Sequence, residues 1–157
     1  MAEKQQLIDI EPFFLREDLT AGVLAEVHAR WSAVPGMGGV VSFVGQVRGD
    51  EKAAGPGEAG RVTAIDFTAH EEMAVAAVRE LVDEVVAELP EGPAGLFMRH
   101  RLGRVAVGEY PVIIVVGTGH REEAYAASRR LIDGLKERAP IFGKEILDSG
   151  GHSWKEA

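Results

Sequence analysis

The segment that most restricts the fold is residues 110–117, YPVIIVVG, a continuous apolar run of strand length. Without alternation it has no side to turn to water, so it predicts a strand buried on both faces. The residues after it are equally constrained. Residues 120–139 have helical spacing and stop there, because a residue preceding proline is disfavoured in the α region. Residues 141–147 and 152–155 read as strands that pair as a hairpin over DSGG.

The earlier chain supplies the rest. Residues 7–14 (LIDIEPFF) predict a short first strand, with Pro12 marking an edge or a bend. Residues 18–31 have helical spacing, with Leu24, Val27 and Trp31 on one side and Asp18 or Thr20 as cap. PGMGG at 35–39 breaks the chain. Residues 40–47 (VVSFVGQV) predict a buried strand that ends at Arg48. Residues 49–60 (GDEKAAGPGEAG) read as a mobile surface loop. Residues 61–68 are expected to return antiparallel to the strand before that loop. The clearest helix is 70–89, with Met73, Ala77, Leu81, Val85 and Leu89 as its core stripe and Glu71 and Glu72 in its first turn. Residues 95–102 predict another strand, in which His100 alternates with Met98. GRVAVGE after it is a turn with a short extended piece. This order of elements implies one α+β domain spanning residues 1–157.

Composition narrows the function. The net charge of −8 argues against nucleic acid as a partner, since phosphate backbones need a basic surface. No apolar run reaches membrane-spanning length, and the first residues lack the apolar core of a signal peptide. Cysteine is absent, which excludes disulfides, thiolate ligands and a cysteine nucleophile. A cytoplasmic location fits these features. Any sulfur chemistry must use sulfur brought by a partner.

Within this acidic chain, residues 120–144 form a basic island. Six Lys and Arg residues stand there against four acids, leaving the other residues at −10. GTGHREE places His120 and Arg121 between a buried strand and a helix start, where free backbone N–H groups favour a phosphate or carboxylate. The alternative is a surface arginine beside a capping histidine. Lys136 lies in the last helical turn, where it is either a solvated lysine or an amine facing Lys144 across the proline turn. Two adjacent ammonium groups lower each other's pKa and can act as acid, base or nucleophile. Arg48, at a strand end beside a loop, is either a ligand contact or half of a surface ion pair. No histidine pair has metal-ligand spacing, so no metal is predicted.

The ordered set FVGQVRG, HEEMA, HRLGRVAVGE, GTGHREEAY, LKERAPIFGKE and HSWKE, covering roughly residues 7–156, resembles the MoaE family, the large catalytic subunit of molybdopterin synthase. The resemblance implies an α/β-hammerhead-like domain with an additional antiparallel β subdomain. It implies a sulfurtransferase that needs no cofactor. Sulfur arrives as a thiocarboxylate on the C-terminal Gly-Gly of a ubiquitin-like small subunit, and passes to cyclic pyranopterin monophosphate to form the molybdopterin dithiolene. The assembly implied is a homodimer with one small subunit at each end. Carried over by position, Lys136 and Lys144 are the catalytic candidates. Gln46, Val47, Arg48, His120, Arg121 and Glu145 are the substrate-binding ones.

One departure stands out. The family's second lysine directly follows an aromatic residue, in a pattern like P-[IF]-W-K-[KR]-E, and Gly143 occupies that position here. Lys144 is expected to take over the role, with glycine's flexibility allowing a bulge, because a one-residue step on a strand otherwise reverses the face. Otherwise the site works with one lysine, or the chain is a catalytically weakened module that binds the partner or a phosphate. A second constraint is length. Sixteen helical residues separate His120 from Lys136, roughly 24 Å, so within one protomer they cannot flank one small substrate. His120 and Arg121 are expected to serve the other protomer's pocket.

Overall fold

The computed structural model describes residues 5–52 and 59–155. Along the chain they form β1 (Gln6–Asp9), β2 (Phe14–Leu15), α1 (Ala21–Trp31), β3 (Gly39–Val44), β4 (Glu51–Lys52), β5 (Gly60–Ala69), α2 (Glu71–Glu88), β6 (Ala94–Arg101), β7 (Gly103–Ala106), β8 (Val112–Thr118), α3 (Arg121–Arg138), β9 (Ile141–Leu147) and β10 (His152–Lys155).

The apolar run is β8, and every residue of it is buried. It lies inside a five-stranded sheet of order β1-β6-β8-β3, with β2 also on β6. β8 runs antiparallel to β6 and β3, while β1 and β2 run parallel to β6. Alternate side chains of a strand point to opposite faces. Val112, Ile114 and Val116 accordingly enter a core with Leu81 and Val85 of α2 and Leu131 of α3. Ile113 and Val115 enter another with Val27 and Trp31 of α1. Both faces are covered, which is why the strand needs no polar side.

The second sheet, of order β10-β9-β5-β4 with β7 on β5, is antiparallel throughout. Its core is Val47, Val62, Ile65, Val105 and Leu147. Phe67 of β5 packs against this cluster and against the α2–α3 core, joining the two sheets. The result is an α+β fold, a helix-covered mixed sheet carrying an additional antiparallel sheet.

Several expectations are corrected. β5 does not pair with the 40–47 strand. β8 needs ladder partners on both edges for its backbone groups, and β3 fills the edge that β6 leaves, with Gly39 opposite Thr118. β5 pairs instead with β4, β7 and β9. The 49–60 loop is therefore anchored at its ends, with Glu51 opposite Arg61 and Lys52 opposite Gly60; residues 53–58 lie outside the described ones. The first strand is split into β1 and β2, with a cis Glu11–Pro12 peptide between them.

The stripe of α2 is shifted as well. Met73 is 65% exposed, whereas Ala74, Val78, Leu81, Val82 and Val85 are buried. Steps of four alone rotate about 40° each time around a 3.6-residue helix, so a straight core line alternates steps of three and four. Where α2 meets α3, Gly134 is a packing requirement. A Cβ there would stand 2.6 Å from Leu81 Cδ1. Glu88–Arg130 and Glu84–Arg138 ion pairs, each 2.7 Å, link the outer edges of the same two helices.

Candidate functional site

A cavity of about 340 Å³ opens where the two sheets meet the last turns of α3. α3 ends as Ala139 N–H donates to Leu135, and Pro140 then turns the chain into β9. That turn brings Lys136 of α3 and Gly143 of β9 to the same wall. The β5–β9 ladder sets Phe67 opposite Gly143. Gln46 and Arg48, beyond the end of β3, close another side, and His100 of β6 another. Arg48 and Lys136 line the cavity, and among the described residues no Asp or Glu does. Lys136 is exposed in the last turn, where helix carbonyls favour a cation. Arg48, 77% exposed, holds Asp50 at 3.2 Å. Two cations over an apolar lining suit a ring that carries an anion.

His100 is a cavity residue that alternation with Met98 did not reveal. It is 6% exposed, and its ring lies 5.2 Å from that of Phe67 and 6.2 Å from that of Phe14. Burial pulls its pKa from 6.5 down to about 4, and a hydrogen bond to the Arg101 carbonyl opposes that shift only in part. The imidazole is neutral at pH 7. Since a carbonyl can only accept, Nδ1, 2.8 Å from that oxygen, carries the proton.

Gln46, Arg48 and Lys136 are brought together; the other candidates stand elsewhere. Val47 is 3% exposed and belongs to the second sheet's core. Lys144 is not among the cavity residues. The bulge expected at Gly143 is absent: the β5–β9 register runs unbroken from Ala64↔Ile146 to Ala69↔Ile141 and shifts only between Val62 and Ala64. Gly143 therefore faces the cavity, and Lys144 faces the other side of the sheet, opposite Asp66 and Trp154. Arg104 donates to Asp66 at 2.7 and 2.8 Å and holds its carboxyl below the ordinary range, and the charge of Lys144 adds to that effect.

Glu145 returns to the face of Gly143 and is 7% exposed. Its carboxylate meets Lys52 Nζ at 3.3 Å. Lys52 had no distinguishing signal, because its partner lies across the β4–β5–β9 ladder. His120 caps α3 by position, with no hydrogen bond from its side chain. It lines a separate cavity of about 280 Å³ with Gly36, Glu91 and Thr118. His120 and Lys136 thus serve different cavities at opposite ends of an 18-residue helix, roughly 27 Å long at the standard rise. Arg121, beside His120, is exposed.

Among the described residues, no helix is long and apolar enough to cross a membrane.

Comparison with known proteins bears on this arrangement. The family described as MoaE protein matches residues 17–138, so β9 and Gly143 lie beyond the matched stretch. A molybdopterin synthase catalytic subunit of Thermoplasma volcanium is 38% identical over 120 residues, 76% of this chain and 82% of the relative. One from Mesorhizobium japonicum is 33% identical over 136 residues, 86% of this chain and 79% of the relative. The crystal structure of molybdopterin synthase from Staphylococcus aureus superposes with a TM-score of 0.74 at 25% identity, covering 100% of this chain and 99% of that one. A complex of subunits 1 and 2 of molybdopterin-converting factor from Helicobacter pylori shares the fold, with a TM-score of 0.71 at 17% identity over 96% of this chain and 89% of that one.

Proposed function

This chain belongs to the MoaE family, the catalytic subunits of molybdopterin synthase in molybdenum cofactor biosynthesis, and from that premise we propose how its residues carry the reaction. The cavity takes cyclic pyranopterin monophosphate. A ubiquitin-like small subunit brings sulfur as the thiocarboxylate of its C-terminal Gly-Gly, and two transfers build the dithiolene. The observation that carries the reading is convergence: Gln46 and Arg48 from one segment and Lys136 from a distant one line a single cavity, to which no described residue brings a carboxylate.

Arg48 and Gln46 hold the substrate, and buried Val47 anchors the segment that presents them. Lys136 assists attack by the thiocarboxylate sulfur and then hydrolysis of the acyl link, stabilising negative charge and moving protons. Lys144 stands across the sheet, so Lys136 is the amine of this cavity. Glu145 acts through Lys52, fixing the β4 edge beside the Arg48 segment. His120 and Arg121 of one protomer grip the phosphate in the other protomer's cavity, within a homodimer carrying a small subunit at each end. A dimer structure with His120 more than about 15 Å from Lys136 of either chain would remove that last assignment, since such a span exceeds two side chains around one ligand.

Conversion of the precursor by the purified pair, read as dithiolene product, tests the whole. Lys136→Ala lowers turnover at least about a hundredfold, the scale of general acid–base catalysis, and leaves the fold intact. Retained turnover rejects the role. Gly143 favours one rival, a weakened module of the same fold that docks the partner or a phosphate without turnover. Product formation by the wild-type pair eliminates it.

A further inference from the structure

The described residues leave the second ring nitrogen of His100 unused. Nδ1 donates to the Arg101 carbonyl, so in the neutral ring Nε2 is bare and can only accept. No group among the described residues bonds it. Nor is it one of the side-chain nitrogens sealed from solvent without a partner. The ring lines the cavity, so Nε2 opens there. The rings of Phe14 and Phe67 on other sides of the imidazole offer it no donor.

The cavity is consequently polarised. At one place stands a buried acceptor on a side chain 6% exposed, beside Phe67. At another stand Lys136 and the 77% exposed Arg48. Such a cavity selects a ligand that is a donor at its ring and an anion at its outer edge. A cation is repelled by Lys136 and Arg48, and a purely accepting ring leaves Nε2 unmatched.

We propose that His100 Nε2 accepts a hydrogen bond from a ring N–H or exocyclic N–H of the heterocyclic ligand in this cavity, fixing the ring's orientation while Arg48 and Lys136 hold its charge. This assignment rests on the cavity being the pterin site. His100 is a positioning residue: it takes no proton, because burial keeps the imidazole neutral across the physiological range. Its contribution is to choose which edge of the ring points inward. A ligand whose N–H groups are replaced by N–methyl loses the bond and leaves a buried acceptor unmatched.

The test uses the full chain labelled with nitrogen-15 and two probes, the 6-carboxylates of pterin and of 1,3-dimethyllumazine, which share the bicyclic frame and an edge anion while only the pterin has N–H. Pterin binding moves the His100 Nε2 resonance toward that of a hydrogen-bonded acceptor, and dimethyllumazine does not. Pterin binds roughly tenfold more tightly than dimethyllumazine, the scale of one such bond. In His100→Phe that preference collapses to near one. If pterin perturbs Arg48 and Lys136 but leaves Nε2 unmoved, the assignment of His100 is overturned and the cavity reading stands. If pterin perturbs none of the three, both are overturned. Should His100→Phe fail to fold, the wild-type nitrogen spectrum decides alone.

Discussion

Burial of His100 ties the stability of this fold to pH. In the folded chain its pKa is about 4, against 6.5 for an ordinary histidine. Between those values the unfolded chain binds a proton that the folded chain refuses, so stability rises with pH across the window and falls as pH drops through it. The contribution is fully present above 6.5 and lost on the way down to about 4. A shift of that size is worth about 3 kcal/mol when complete. Between pH 7 and pH 4.5 most of it is expressed, roughly 2 kcal/mol. Carboxylates also titrate in acid, so the quantity to measure is a difference. Urea unfolding of wild type and His100→Gln is followed at both pH values. The gap between the two proteins narrows by roughly 2 kcal/mol at pH 4.5, because glutamine has no proton to refuse. A gap that stays constant within about 0.5 kcal/mol, well below the linkage expected, refutes the argument that His100 is buried as a neutral ring.

Other consequences arise from the same contacts. Lys144→Ala leaves sulfur transfer within about twofold of wild type, because its side chain stands on the face away from the cavity; a loss approaching the hundredfold scale of acid–base catalysis places its amine in the chemistry after all. Gly134→Ala puts a methyl group 2.6 Å from Leu81 Cδ1 and lowers stability by about 1–3 kcal/mol, the usual cost of overpacking, read by urea denaturation. An unchanged midpoint shows that α2 and α3 can separate without cost.

How much was legible depends on where the determining contact lay. The β8 strand could be read because burial on both faces removes alternation from the sequence itself. The end of α3 could be read from Pro140, and the β9–β10 hairpin from DSGG, because each cause is local. The partner of β5 could not. Period two announces a strand but not its neighbour, and β3 was claimed by the open edge of β8 about seventy residues later. The same limit hid His100. Its neighbours Phe14 and Phe67 come from β2 and β5, and alternation with Met98 says only that the two side chains share a face. Lys52 was hidden likewise, since its meeting with Glu145 depends on a ladder of three strands. Lys136 and Arg48 were legible as cations at element ends, but their convergence was supplied by the resemblance and by the folded chain.

The position of Gly143 carries the sharpest remaining consequence. Moving an amine one residue along a helix turns it about 100°; moving it one residue along a strand sends it through the sheet. With no bulge at this point, Lys144 is no substitute for a lysine at 143, whatever its proximity in sequence. The space above Gly143 has been taken up by its neighbours, for a Cβ there would meet Ile65 Cγ2 at 3.1 Å and Phe67 Cε1 at 3.3 Å. Both are side-chain atoms, Phe67 lining the cavity and Ile65 in the second sheet's core, and need to give by only a few tenths of an ångström. Gly143→Lys should therefore fold, at a cost of about 1 kcal/mol for the displaced contacts. Its amine then enters the wall that Lys136 already lines, where two close ammonium groups lower each other's pKa and one becomes the better proton carrier. Turnover of the purified pair rises by about tenfold, a fraction of what acid–base catalysis can supply. A folded variant whose turnover matches wild type would mean that the reaction is limited elsewhere and that Lys136 alone satisfies its proton transfers.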